Sequence, residues 1–195
     1  MSARHEKPDL AMIGISHKTA PVELREKFAL DDGELPAFLE RACSGGADEI
    51  VYLSTCNRME IYVASADVNA AIEGLYAQME SISSLPRRAI EAHTYRKYSR
   101  DAVAHLFTVA SSLDSMVVGE NEIFFQVKNC YSRSVHAKKT GPMLNRLFHH
   151  AFKTAKRVKT ETEISKNPLS IAYIATELAG KIFEDLSRHR ALLVG

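Results

Sequence analysis

The chain has 195 residues, 46% of them hydrophobic and 25% charged, with a net charge of +1, which is the make-up of a globular protein of one or two domains. No apolar run reaches the length of a membrane span, and the polar residues 1–8 lack the apolar stretch of a signal peptide. The three cysteines, Cys43, Cys56 and Cys130, are odd in number and fall in no CxxC or Cys/His ligand pattern, so neither a disulfide framework nor a metal site is expected, and reduced thiols in a cytoplasmic protein are.

Residues 1–9 read as a disordered lead. Leu10 to Ser16 is predicted as a first strand, with Gly14 permitting a close approach. Thr19-Ala20-Pro21 opens a helix, proline suiting a first helical position, and Val22, Leu24, Phe28 and Leu30 supply its buried side. A second helix is expected from Glu34 to Cys43, stopped by Ser44-Gly45-Gly46. Ile50-Val51-Tyr52-Leu53 and Ile61-Tyr62-Val63 are β-branched and aromatic, and read as strands. Between them lies Ser54-Thr55-Cys56-Asn57-Arg58-Met59-Glu60, too short for a helix. Cys56 is therefore presented on a strand-to-strand connection, where a reactive group can be exposed on a rigid base. A third helix, Val68 to Ile82, carries Ile72, Leu75 and Met79 on one side. Ser83 to Pro86 breaks it, and Ala92 to Tyr98 is predicted as a short strand. Residues 10–98 thus suit a small antiparallel sheet with helices on one face.

From residue 99 the pattern is helical. Arg100 to Leu113 carries Val103, Leu106, Phe107, Ala110 and Leu113 as an apolar stripe. His105 lies about 130° from the centre of that stripe, which argues against a core histidine. Thr108, Ser112 and Ser115 share its side if the helix runs that far, and a face of histidine and hydroxyls without charge suggests a sheltered cleft. Gly119-Glu120-Asn121-Glu122 marks the next helix, with acids at its positive end, running to about Ala137. After a turn at Lys138 to Pro142, Met143 to Thr160 carries Leu144, Leu147, Phe148, Ala151, Phe152, Ala155 and Val158 in i, i+3, i+4, i+7 order, a core pattern rather than a base-stacking platform.

Charge is unevenly spread. Residues 123–160 contain no Asp or Glu but hold Lys128, Arg133, Lys138, Lys139, Arg146, Lys153, Lys156, Arg157 and Lys159. An acid-free window of that length reads either as a solvated helical face or as a surface for a polyanion. Beyond a break at Asn167-Pro168, Leu169 to Leu186 is a last amphipathic helix. Ala191-Leu192-Leu193-Val194-Gly195 resembles the first strand of a dinucleotide-binding unit, with Gly195 as the possible first glycine of its phosphate turn. The expectation is a chain cut at a domain border.

Several blocks resemble the glutamyl-tRNA reductase family: Gly14-Ile15-Ser16-His17-Lys18-Thr19-Ala20-Pro21, Ser54 to Glu60, His105-Leu106-Phe107, Leu113 to Glu120, Leu144-Asn145-Arg146-Leu147-Phe148 and Lys156 to Ile164. The resemblance implies an α+β fold, a ferredoxin-like antiparallel sheet subdomain (residues 10–98) followed by a helical-bundle subdomain (99–165). Residues 166–195 would be a linker helix and the first strand of an NADPH-binding domain. It implies that the Cys56 thiolate attacks glutamyl-tRNA and forms a thioester, which NADPH reduces to glutamate-1-semialdehyde for tetrapyrrole synthesis. A thiol suits this as a strong nucleophile whose thioester stays reducible, and a cation such as Arg58 favours thiolate. By the same resemblance His105 does acid/base or positioning work. Thr55, Asn57, Arg58, Ser115, Glu120, Asn121, Glu122 and Gln126 bind substrate, and Gly195 belongs to the cofactor site. A homodimer and a downstream aminomutase are the implied protein partners. The pattern departs at Asn121-Glu122 and Phe125, where family members often carry Pro-Gln and Gly. Two other readings remain open on the residues: an RNA-binding module in which Cys56 is a small buried residue, and a cysteine hydrolase using Cys56 and His105.

Overall fold

The computed structural model describes residues 9–120, 122–165 and 171–183, together with 185, 186, 189, 190 and 192. Four strands, β1 (Asp9–Ser16), β2 (Glu49–Ser54), β3 (Arg58–Ser65) and β4 (Tyr95–Tyr98), form one sheet in the order β2-β3-β1-β4. Every pairing is antiparallel. Helices α1 (Val22–Glu26) and α2 (Glu34–Ser44) connect β1 to β2, and α3 (Val68–Ser83) and α4 (Arg87–Glu91) connect β3 to β4. This is the ferredoxin-like arrangement of an α+β fold. It continues into α5 (Ser99–Ala110), α6 (Glu122–His136), α7 (Pro142–Glu161), a 3-10 turn (Glu163–Ser165) and α8 (Ile171–Ile182). Among the described residues no helix is long and apolar enough to cross a membrane.

The helices of residues 10–98 lie on one face of the sheet, as expected, and the helices that follow cover the other. Ala11, Ile13, Ile15, Ile50, Tyr52, Ile61 and Val63 pack with α2 and α3. Leu10, Met12, Val51, Leu53, Tyr62 and Ala64 pack with α5, α6 and α7. The reason is in the strands: their apolar residues are consecutive rather than alternating, and a strand with both parities apolar must bury both faces. The helical half is therefore the second cover of the sheet. Phe148 on α7 is fully buried, stacks on Tyr131 at 5.1 Å and meets Tyr62 edge-on at 5.6 Å, so it is core, as its spacing predicts.

Three local expectations change. Pro21 precedes α1 as its cap residue rather than opening the helix, and none of α1's residues is buried; Phe28, beyond its end, is. The strand predicted over Ala92 to Tyr98 starts later, at Tyr95, because residues 92–94 form the turn that follows α4. α5 stops at Ala110 instead of Leu113: Ser112 adopts φ +61°, which ends helical geometry, and Leu113 is left exposed. The side chain row from His105 to Ser115 is thus split between a helix and a loop. Apart from the exposed Leu192, the predicted strand at 191–195, with Gly195, and the break at Asn167-Pro168 lie outside the described residues.

Candidate active site

The period of two along β3 places Arg58, Glu60 and Tyr62 on the face covered by α5. Glu60 is paired across the sheet with Gly14, and Gly14 with Tyr95 on β4, so the three stand in a row on that face. A side chain at Gly14 would sit 2.9 Å from Glu60 Cγ and 3.0 Å from the Tyr95 ring. Its absence lets the Tyr95 hydroxyl donate to Glu60 at 2.7 Å. Glu60 is fully buried and also accepts from Arg58 Nη1 at 2.8 Å, the Tyr62 hydroxyl at 2.7 Å and His105 Nε2 at 2.7 Å. A carboxylate only accepts, so His105 carries its proton on Nε2 in this bond. Burial alone would push the Glu60 carboxyl up. The hydrogen bond and electrostatic pull of His105, the Arg58 charge and the Tyr62 hydroxyl outweigh it and hold Glu60 at about 2.

Arg58 is 2% exposed. Its other terminal nitrogen donates to the Asp114 backbone carbonyl at 2.5 Å and to Asp114 Oδ2 at 2.9 Å. Burial disfavours its charge, but Glu60 more than restores it and raises the guanidinium above its ordinary range. Lys18 donates to the same Asp114 carboxylate. Burial opposes that carboxylate's charge too, yet the hydrogen bonds from Lys18 and Arg58 hold its pKa down. The loop after α5 is thereby tied to the ends of β1 and β3.

Cys56 is exposed at the tip of the β2–β3 hairpin, which removes the reading of it as a small buried residue. Thr55 organises the tip: its backbone N–H donates to the Arg58 carbonyl at 2.9 Å, and its hydroxyl accepts from Asn57 N at 3.3 Å and Arg58 N at 3.2 Å. His17 N donates to the Asn57 carbonyl at 2.8 Å, and Arg25 Nη1 donates to the Cys56 carbonyl. The His17 ring has a buried Nδ1 without a hydrogen-bond partner among the described residues. Burial, and then the Arg58 charge, push its pKa down.

A small pocket beside the hairpin tip is lined by Thr55, Cys56, Asn57, Arg58, Ser115, Glu120, Glu122, Ile123 and Gln126. All the expected substrate residues that the structure describes therefore meet around the thiol; Asn121 lies outside the described residues. Glu122 Oε1 accepts from Gln126 Nε2 at 2.9 Å, so its carboxylate is partnered one turn along α6. His105 is not among the lining residues. Its side chain is only 11% exposed and faces Glu60 and the Tyr95 ring, 5.6 Å away. The helical wheel put it on a polar side; that side turns out to rest on the polar end of the sheet, so the histidine is sheltered and satisfied. Sequence reasoning missed Glu60, Tyr95, Asp114, Lys18 and Arg25. The glycine inside β1 was a signal for the first two, since a lone strand glycine marks a close approach. Nothing in the local sequence points Arg25 at Cys56.

Residues 13–162 match the family model described as "Glutamyl-tRNAGlu reductase, N-terminal domain". The glutamyl-tRNA reductase of Magnetococcus marinus is 47% identical over 187 residues, which are 95% of this chain and 44% of that protein. That of Citrifermentans bemidjiense is 42% identical over 188 residues, 96% of this chain and 43% of that protein. A solved structure, glutamyl-tRNA reductase from Methanopyrus kandleri, is similar with a TM-score of 0.66 at 36% identity, covering 89% of this chain and 40% of that one. The chain spans less than half the length of the curated relatives it matches.

Proposed function

The chain belongs to the glutamyl-tRNA reductase family, and from that membership we propose that it carries the acyl-transfer half of such an enzyme's reaction, with Cys56 as the nucleophile. The observation that supports this reading best is the exposed Cys56 thiol on a hydrogen-bonded hairpin tip, bordering a pocket of polar side chains. The sulfur of the Cys56 thiolate attacks the acyl carbon of glutamyl-tRNA. The S–C bond forms, the ester C–O bond to the terminal ribose breaks, and the ribose oxygen leaves with a proton.

Each nearby residue has a place in the reading. Arg58, Ser115, Glu120, Asn121, Glu122 and Gln126 receive the glutamyl group, and Thr55 and Asn57 shape the tip that presents the thiol. His105 acts as a positioning residue: it holds Glu60, and through Glu60 the Arg58 guanidinium. The step we assign to these residues is formation of the thioester. NADPH, where bound, would supply the hydride that turns the thioester into glutamate-1-semialdehyde, for tetrapyrrole synthesis. A homodimer and transfer of the aldehyde to an aminomutase belong to the same proposal.

The test is to incubate the chain with glutamyl-tRNA labelled in the glutamate, without NADPH. Label is expected to stay on the protein and to be absent from Cys56→Ser. Equal labelling of the variant sinks the reading. Turnover of simple glutamate esters without tRNA favours the hydrolase reading instead.

A further inference from the structure

We propose that the outer face of α7 is the track on which the phosphate backbone of an RNA lies while its 3′ end reaches Cys56. The inference rests on the proposed function for the identity of that RNA, and adds which surface meets it. At 100° per residue, Arg146, His150, Lys153 and Arg157 fall within about 60° of one another, with Lys156 at their flank. Leu144, Leu147, Phe148, Ala151 and Ala155 are buried on the opposite side. Arg146, His150, Lys153 and Lys156 are exposed.

Ion pairs within the fold hold some cations of the acid-free window. Arg133 pairs with Asp32 at 2.6 Å, Lys139 with Glu40, and Arg157 with Glu161 at 2.9 Å. Those three are held in contacts within the fold. Arg146, Lys153 and Lys156 have no carboxylate within ion-pair distance among the described residues. Three such cations along one turn-repeated face leave an unneutralised positive field, which a polyanion can match by releasing its counterions.

The direction of α7 gives the face its use. Its first turn is anchored at the start of β2, where Glu49 accepts from Met143 N at 3.0 Å and Leu144 N at 2.7 Å. Its last turn reaches the wall of the Cys56 pocket. Lys159 Nζ stands 5.1 Å from the Phe124 ring, in the same first turn of α6 as Glu122 and Ile123. Ile164, just past α7, packs its carbonyl against Gly119, next to the pocket residue Glu120. From Arg146 to Lys156 the row covers roughly 15 Å at the helical rise, long enough for several successive phosphates of a duplex. A stem lying on α7 would be aimed at the thiol.

The experiment compares the chain with Arg146→Gln/Lys153→Gln/Lys156→Gln in binding uncharged tRNAGlu across salt from about 50 to 200 mM. A control set, Arg41→Gln/Arg88→Gln/Arg96→Gln, removes three exposed cations elsewhere. The α7 set is expected to weaken binding at least about 10-fold at low salt and to make the log–log salt slope shallower by about 2–3. Iodoacetamide labelling of Cys56 should keep its wild-type rate. Wild-type affinity and slope in the α7 set, or an equal loss in the control set, would overturn the track. The two readings fail separately. Tight tRNA binding lost in the α7 set, but without label transfer to Cys56, removes the nucleophile and leaves the track; label transfer with unchanged binding in the α7 set does the reverse.

Discussion

Gly14 matters for the side chain it lacks. The row Glu60, Gly14, Tyr95 crosses three strands on one face, and only a missing Cβ in the middle lets a carboxylate and a phenol meet there. Gly14→Ala would push a methyl group against Glu60 Cγ and the Tyr95 ring, neither of them the free end of a flexible chain. A loss of about 1–3 kcal/mol is expected, the usual cost of overpacking a tight interior, read as a lower denaturant midpoint at unchanged slope. Labelling of Cys56 by glutamyl-tRNA should fall as well, because the displaced Glu60 holds Arg58 at the pocket. Stability equal to wild type would show that the strands shift freely here.

At the level of elements, α7 is fixed at its start by a residue from another element. Gly141 offers no side-chain cap, and the buried Glu49 carboxylate takes the N–H groups of Met143 and Leu144 instead. A carboxylate there satisfies orphan donors and complements the positive end of the helix. Gly141 leaves the room, since a Cβ would stand 2.7 Å from Glu49 Cδ. Glu49→Ala is expected to cost about 1–2 kcal/mol, the scale of a lost N-cap, seen as a lower melting temperature; a neutral effect would mean that water replaces the carboxylate. The helix itself is legible in the sequence because Leu144 to Val158 repeats with helical period. The cap is not, because β2 and α7 are 95 residues apart at the Glu49–Leu144 contact and no local pattern joins them.

The whole molecule is a sheet between two helical covers, and its polar end is tied by carboxylates. Glu60 joins β3 to β4 and α5, and Asp114 joins the following loop to β1 and β3. Both have folded pKa values below their unfolded ones. Depressed carboxyls add stability that is fully present above the unfolded value and is lost as pH falls through the folded one. The share of the unfolding free energy carried by these two carboxyls should therefore be level above about pH 5 and fall steadily toward about pH 2, below the earlier fall that the depressed His17 adds from about pH 6.5 downward. Glu60→Gln should be less stable at pH 7, since it removes the buried charge that faces Arg58 and leaves Asp114 as that guanidinium's carboxylate partner, and should show a shallower acid slope. Urea melts at several pH values measure both, and identical acid slopes for the two proteins would exclude Glu60 as the titrating group.

By itself the sequence determined most of the elements and the setting of the Cys56 thiol. Consecutive β-branched runs around a short polar connection specify a hairpin with Cys56 at its tip, and a 3.6-residue apolar repeat specifies α7; both signals are local. Tertiary structure decided what those elements face. It turned the polar side of α5 onto Glu60, so that His105 became a half-buried partner of the sheet rather than a lining of the pocket. It paired Arg133, Lys139 and Arg157 with Asp32, Glu40 and Glu161, and it left Arg146, Lys153 and Lys156 on the outer face of α7. Both outcomes depend on distances between residues far apart in the chain, and only the packed sheet and its two covers set those distances.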